Sequence, residues 1–340
     1  MSRIPQLDGL RAAAIMMVFS AHALDIPLLW TGVDLFFVIS GYLITGILLR
    51  LKERRSANDE YWKPFYWRRF RRIIPAYAGF LLVVSLLFPV DWSHIWYWYA
   101  FFGANFPLAF GKVSVAALTP LWSLAVEEQF YFVWPWIVLL CTKDTLRRIA
   151  CAVIIVSPIL RAIFTPHFTN HFPIYCLTVF RADTLAVGAF IALSEAGDIQ
   201  WVERHRDAAV AGAVAALTLF GLFSLLPVFR TGANSVVFNS LGYTFSVFLF
   251  GSALVYALSL SKGLFHRILT ARYVQYLGRI SYTFYLYHLA VLLKVGEHLH
   301  STIPRAAISF VITLVVAAVS WHYVEFPILE PKRNEIRKAA

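Results

Sequence analysis

Ten apolar stretches, each long enough to cross a bilayer as a helix, recur along this chain, and that repetition leaves few folds open to it. They fall near residues 9–27, 31–50, 73–89, 121–141, 149–164, 175–194, 208–227, 240–260, 273–296 and 305–326. A backbone that crosses hydrocarbon must satisfy its own N–H and C=O groups, so the expectation is an all-α polytopic bundle. The chain is 59% hydrophobic and only 14% charged, too little polar surface to cover a soluble domain of 340 residues. Residues 1–340 are expected to form one transmembrane domain: no loop is long enough for a second fold, and only a short basic tail follows Phe326. The first run keeps Arg11 and His22 and shows no small-residue cleavage site, so it reads as a span and not as a cleaved leader.

An eleventh stretch, residues 94–110, is crowded with Trp96, Tyr97, Trp98, Tyr99, Phe101 and Phe102 and broken by Gly103, Asn105 and Pro107. The distribution of cations decides its place. If it lies at the interface or re-enters, 22 of the 30 Lys and Arg fall in the loops 50–72, 142–148, 195–207 and 261–272 and at the two ends. The opposite loops then hold only Lys112 and Arg230. That asymmetry predicts ten spans with both termini in the cytoplasm and a non-spanning segment at 94–110. It also accounts for the net charge of +11 without nucleic acid, because the cations orient the chain and form no DNA-binding face. Cys141, Cys151 and Cys176 show no CxxC or Cys/His spacing, so neither a disulfide framework nor a metal site is expected.

Charged side chains inside such runs are costly unless they face the protein interior or water, which makes them candidates for function. Arg11 and His22 are eleven residues apart, three helical turns plus about 20°, so they share one face about 16 Å apart. Arg11 either snorkels to headgroups or meets an anion arriving from the cytoplasm; His22 either packs between helices or serves a site. Asp34 in the second run pairs with one of them or caps its helix. Arg68, Arg69, Arg71 and Arg72 precede the third run; Arg68/Arg71 and Arg69/Arg72 are i, i+3 pairs whose guanidinium forks suit a phosphate, or else anchor the span at lipid headgroups. Glu127 and Glu128 point about 100° apart in the fourth run, so each needs its own partner. Arg181 and Asp183 share the sixth run. Tyr282, Tyr285 and His288 recur at i, i+3, i+6 on one polar face. Glu325 sits where the last run ends, as a terminator of the span.

Taken in order, LDGLRAAAIMMVFSAHA, GVDLFFVISGYLITGIL, RRFRRIIPAY, LWSLAVEEQFYFVWP, FRADTLAVGA and GRISYTFYLYHLAV resemble the acyltransferase-3 family, integral-membrane acyltransferases that modify cell-surface and secreted glycans. The resemblance covers residues 7–291. It implies a bacterial plasma-membrane enzyme with acyl-coenzyme A, acetyl by default, as cytoplasmic donor and a hydroxyl of a glycan or other surface acceptor. It places Arg11 and His22 on the family's essential pair, Arg69 and Arg72 on its basic motif and Glu127 on its membrane carboxylate; Glu128 matches less closely. On this reading His22 is a general base or a transient acyl carrier oriented by Glu127, and Arg11 holds the donor. Asp34, Glu128, Arg181, Asp183, Tyr282, Tyr285 and His288 stand as substrate contacts or supports. Some relatives carry an additional esterase-like domain; a chain without one finishes the transfer itself or passes the acyl group to a separate protein. The competing class is a proton-coupled transporter, which also places Arg, His and Glu in a bundle; the basic cluster before a span and the absence of internal repeats weigh against it.

Overall fold

The computed structural model describes residues 4–54, 61–113, 115–198, 200–229 and 234–329. Among them, ten helices of 17 residues or more match the ten apolar runs: α1 (Pro5–Leu24), α2 (Gly32–Glu53), α3 (Trp62–Leu87), α4 (Leu121–Leu140), α5 (Lys143–Phe164), α6 (Thr178–Gly197), α7 (Arg206–Ser224), α8 (Tyr243–Ser259), α9 (Arg272–Gly296) and α10 (Thr302–Ser320). There is no strand among the described residues. Eight of the ten lie in segments long and apolar enough to cross a membrane. The other two, α4 and α9, have the length, 20 and 25 residues, but carry the polar residues that the site uses. The chain is a multi-pass membrane protein.

Helix ends depart from the apolar runs where polar residues keep the helix going. α3 begins at Trp62, eleven residues before its apolar run, because Trp62–Arg72 presents Phe65 inward and leaves Arg68 in the open. α5 begins at Lys143, where Thr142 caps it by accepting the Thr145 N–H at 3.2 Å. α10 continues past Ser320 through a π turn, Trp321–Glu325.

Residues 94–110 form two five-residue helices, Trp96–Ala100 and Asn105–Ala109, neither able to span. The second of these inserts into the bundle. Asn105 is fully buried; its Nδ2 donates to the Cys176 carbonyl and to Thr178 Oγ1 at 3.3 Å each, and its Oδ1 accepts from Gln129 Nε2 at 3.0 Å. Gln129 lies eight residues into α4, about 12 Å along its axis, so the segment reaches well below the end of that helix.

The centre of the bundle is the pair α2 and α6, 72% of whose apolar segments are buried, whereas α7 at the periphery is 11% buried. Two glycines set their approach. A Cβ on Gly41 would lie 2.0 Å from the Leu185 carbonyl oxygen, and one on Gly188 2.0 Å from that of Val38. Small residues let backbones close in this way, and the contacts advance together along both helices, Asp34 to Arg181, Gly41 to Leu185 and Tyr42 to Glu195, so the two run parallel. α1 meets α9 as tightly: a Cβ on Gly278 would lie 1.9 Å from the Asp8 carbonyl oxygen. With α1, α2 and α9 fixed so closely, their side chains and those of α3 and α4 frame one central cavity.

Candidate active site

Helices α1, α2, α3, α4 and α9 enclose about 800 Å3 of empty space, counted out to the cavity mouth. Because α1, α3 and α9 run one way and α2 and α4 the other, the lining residues fall into layers. At one end stand Arg11 from α1, Arg69 and Arg72 from α3, and Tyr131 from α4, against Leu43 and Ile44 of α2. In the middle are Ser40, Glu127 and Tyr282. At the far end, Val33, Phe36 and Phe37 face Ser123 and Tyr285.

Three guanidinium groups thus converge on one end of a cavity whose middle holds a carboxylate. Glu127 Oε1 accepts from Ser40 Oγ at 2.6 Å, and Oε2 lies 3.4 Å from the Tyr131 hydroxyl. The Tyr131 ring in turn lies under the Arg69 guanidinium, 4.7 Å from its centroid, which holds the cation beside the carboxylate without a direct ion pair. Arg11 keeps a long contact with Asp8, 3.8 Å, one helical turn away. Tyr282 ties α9 to α3 by donating to the Ile73 carbonyl at 3.1 Å. The far end is closed by a hydrogen-bonded cluster: the Tyr285 hydroxyl meets Ser123 Oγ at 2.7 Å and the Pro120 carbonyl at 3.1 Å, with Phe36 edge-on to the Tyr285 ring.

His22 lies beyond this closure and does not line the cavity. α1 is unbroken from Arg11 to His22, so the three-turn separation read from the spacing holds. His22 is an exposed residue, and its ring stands 5.0 Å, centroid to centroid, from that of His288, which is fully buried. His22 Nδ1 is 3.3 Å from His288 Nε2 and 3.0 Å from the Val18 carbonyl, and His288 Nδ1 is 2.5 Å from the Tyr285 carbonyl. Glu127 was expected to orient His22; its hydrogen bonds instead go to Ser40 and Tyr131, and the ring that touches His22 is His288. Tyr285 joins the two regions, with its hydroxyl in the cavity wall and its carbonyl on His288.

Other expectations divide in the same way. Of the four arginines ahead of the third span, Arg69 and Arg72 line the cavity. Arg68 is exposed and Arg71 lies over the Trp67 ring at 4.9 Å, because i, i+1 neighbours point about 100° apart and only one of the two pairs can face inward. Glu128 does not line the cavity either; its Oε1 is buried and makes no hydrogen bond among the described residues. Asp34, Arg181 and Asp183 belong to a separate ionic layer. Arg181 pairs with Asp34, which also accepts from Ser246 Oγ at 2.7 Å. Asp183 pairs at 2.7 Å with Arg161, and both guanidinium groups lie over the Tyr243 ring, at 4.5 Å for Arg181 and 5.6 Å for Arg161. These four charged side chains lock α2, α5, α6 and α8 together.

Sequence reasoning missed Ser40, Ser123, Tyr131, Arg161 and the burial of Glu325. Tyr131 stands one turn after Glu127, and Arg161 is a charge inside an apolar run, the same signal that marks Arg11. Ser40 and Ser123 carry no such mark, since single hydroxyls are common in membrane helices. Glu325 does not end a span at the surface: the π turn swings it inward, where Oε1 accepts from Thr283 Oγ1 at 2.7 Å and Ser320 Oγ at 3.1 Å, within electrostatic reach of Arg72.

Residues 4–322 match the acyltransferase-domain family that the sequence motifs resemble. The chain belongs to that family. Its relatives include a peptidoglycan O-acetyltransferase of Listeria monocytogenes, 28% identical over 360 residues that cover 96% of this chain and 56% of the relative. An O-acetyltransferase of Staphylococcus aureus is 28% identical over 354 residues, 96% of this chain and 57% of the relative. A putative peptidoglycan O-acetyltransferase of Bacillus subtilis is 27% identical over 358 residues, 96% and 55% respectively. The chain therefore spans a little over half the length of these curated relatives. No solved structure matches it at a significant level.

Proposed function

We propose that this chain is a membrane O-acyltransferase that takes an acyl group, acetyl by default, from cytoplasmic acyl-coenzyme A and delivers it toward a glycan hydroxyl on the opposite face. The observation that carries this reading is the convergence of Arg11, Arg69 and Arg72 on one end of a cavity whose middle holds the Ser40–Glu127 pair. Coenzyme A brings phosphates, which guanidinium forks hold bidentately, and a thioester whose carbonyl oxygen gains charge as it is attacked. The concentration of Lys and Arg in the loops beside the arginine end of α1 and α3 supports a cytoplasmic side for that end, where the donor is made. The relatives' names make peptidoglycan the first acceptor to try.

In this reading the arginines hold the donor, Glu127 sits beside the reacting carbonyl, and His22 at the exposed end takes the proton of the acceptor hydroxyl. Tyr285 and Ser123 separate donor and acceptor until the acyl group passes, which keeps water from the thioester. The test is thiol release from acetyl-coenzyme A by the purified protein, with and without a soluble muropeptide. Acceptor-dependent release is expected, and Glu127→Gln and His22→Ala should each cost about 100-fold or more, the lower end of what a positioned acid or base contributes. Solute uptake driven by a proton gradient, with no thiol release, would establish the transporter reading instead.

A further inference from the structure

The proposed acceptor base, His22, is held by a second histidine, and the hydrogen bonds around the pair determine which nitrogen of each ring carries a proton. A carbonyl oxygen only accepts, so His288 Nδ1, 2.5 Å from the Tyr285 carbonyl, must be its protonated nitrogen. In the neutral ring Nε2 then bears the lone pair. That lone pair points at His22 Nδ1, 3.3 Å away, which also lies 3.0 Å from the Val18 carbonyl. Both neighbours of His22 Nδ1 are acceptors, so this nitrogen carries the proton. The Val18 carbonyl already takes a helical backbone N–H within α1, which makes His288 Nε2 the acceptor with nothing else to bond. The lone pair of His22 is left on Nε2, the nitrogen that faces neither Val18 nor His288.

We infer that His288 is a positioning residue that fixes His22 in the Nδ1–H form, so that Nε2 of His22 faces the acceptor as the base. The inference rests on the acyltransferase reading and specifies how its acceptor half works. As the acceptor hydroxyl attacks, its oxygen forms the new ester bond, its proton moves to His22 Nε2, and the bond from the acyl carbon to the coenzyme A sulfur breaks, the sulfur leaving as a thiolate that takes its proton from solvent. His22 is then an imidazolium. Its Nδ1–H keeps the His288 lone pair as partner, the part a carboxylate plays in a Ser-His-Asp triad. A neutral ring performs that part here because His288 is fully buried in the bundle, where an isolated carboxylate would be costly. The alternation Tyr285 carbonyl, His288, His22 also explains why Glu127, bonded to Ser40 and Tyr131, is not needed at this end.

The experiment compares wild type, His288→Ala and His288→Gln for acetyl transfer to a soluble muropeptide and for acetyl-coenzyme A binding, each measured per molecule that elutes as a monodisperse peak. Gln places a side-chain carbonyl where Nε2 stood, so it restores the acceptor without the ring. His288→Ala should lose about 100-fold in kcat with acetyl-coenzyme A binding unchanged, and His288→Gln should recover at least tenfold of that loss. Full activity in His288→Ala, or equal loss in both variants with donor binding intact, would overturn the inference. So would parallel loss of donor binding in both, since that is the mark of a packing role. A wild type that binds acetyl-coenzyme A but never transfers it defeats the acyltransferase reading itself, a result distinct from all of these.

Discussion

Replacing Arg161 by Met should destabilise the protein by about 3–5 kcal/mol, the cost of leaving one partner of a buried ion pair alone. The side chains of Arg161 and Asp183 are 0% and 3% exposed. Arg161 Nη1 donates to Asp183 Oδ2 at 2.7 Å and to the Phe180 carbonyl at 2.6 Å, and Nη2 donates to Thr244 Oγ1 at 3.1 Å. Without the arginine, the Asp183 carboxylate keeps the Thr184 backbone N–H, at 3.0 Å, as its hydrogen-bond donor, and its neighbouring cation is Arg181, which is already paired with Asp34. Met fills a similar volume, so the loss is electrostatic and not a cavity effect. Removing both charges, Arg161→Met with Asp183→Leu, takes away the stranded carboxylate and should return stability to within about 1–2 kcal/mol of wild type. The coupling between the two substitutions should therefore exceed about 1.5 kcal/mol in magnitude. Unfolding by sodium dodecyl sulfate in mixed micelles, followed by tryptophan fluorescence, measures each term, and thiol release from acetyl-coenzyme A reads the site. The double variant should retain thiol release, because the ionic layer lies outside the cavity. A single variant less than about 1 kcal/mol below wild type, or a double variant no more stable than the single, would refute the reasoning.

The division among the arginines gives a second expectation. Arg69→Ala and Arg72→Ala should each raise KM for acetyl-coenzyme A by about tenfold to a hundredfold, since a charge-assisted contact contributes about 1.5–3 kcal/mol. Arg68→Ala and Arg71→Ala should leave KM within about twofold, as these side chains lie outside the cavity and surface charges contribute little. Gly188→Ala would set a Cβ 2.0 Å from the Val38 carbonyl oxygen and should lower stability by about 1–3 kcal/mol through overpacking at the centre of the bundle. Gly221→Ala, a helical position in α7 with no neighbour within 4 Å of the added Cβ, should be neutral or stabilising by up to about 1 kcal/mol in the same unfolding assay.

The ten helices were legible because a bilayer-length apolar run is a long signal, and the non-spanning 94–110 segment because Lys and Arg alternate from loop to loop. The ends were not: amphipathic Trp62–Arg72 is helical for reasons of packing that hydropathy does not register, and the π turn that buries Glu325 has no sequence signature. Arg11, Arg69, Arg72 and Glu127 could be picked out as charges in or beside apolar runs, and the structure gathers them around one cavity. Asp34, Arg181 and Asp183 give the same signal, yet they form an ionic layer apart from it. Only the three-dimensional pairing separates the two sets, since Asp34 and Arg181 meet across 147 positions of sequence. Ser40 became visible only through its 2.6 Å contact with Glu127. The role of His288 emerged from the ring it touches, not from its place on a polar face.

The central claim is directional: an acyl group enters at the arginine end of the bundle and leaves at the histidine end. Proteoliposomes of known protein orientation, given radiolabelled acetyl-coenzyme A on one side and a membrane-impermeant muropeptide on the other, measure it directly. Labelled muropeptide should accumulate when acetyl-coenzyme A is on the side carrying Arg69 and Arg72, and should be absent when donor and acceptor are exchanged. Transfer only when both substrates share one side, or transfer in either arrangement alike, would contradict the account.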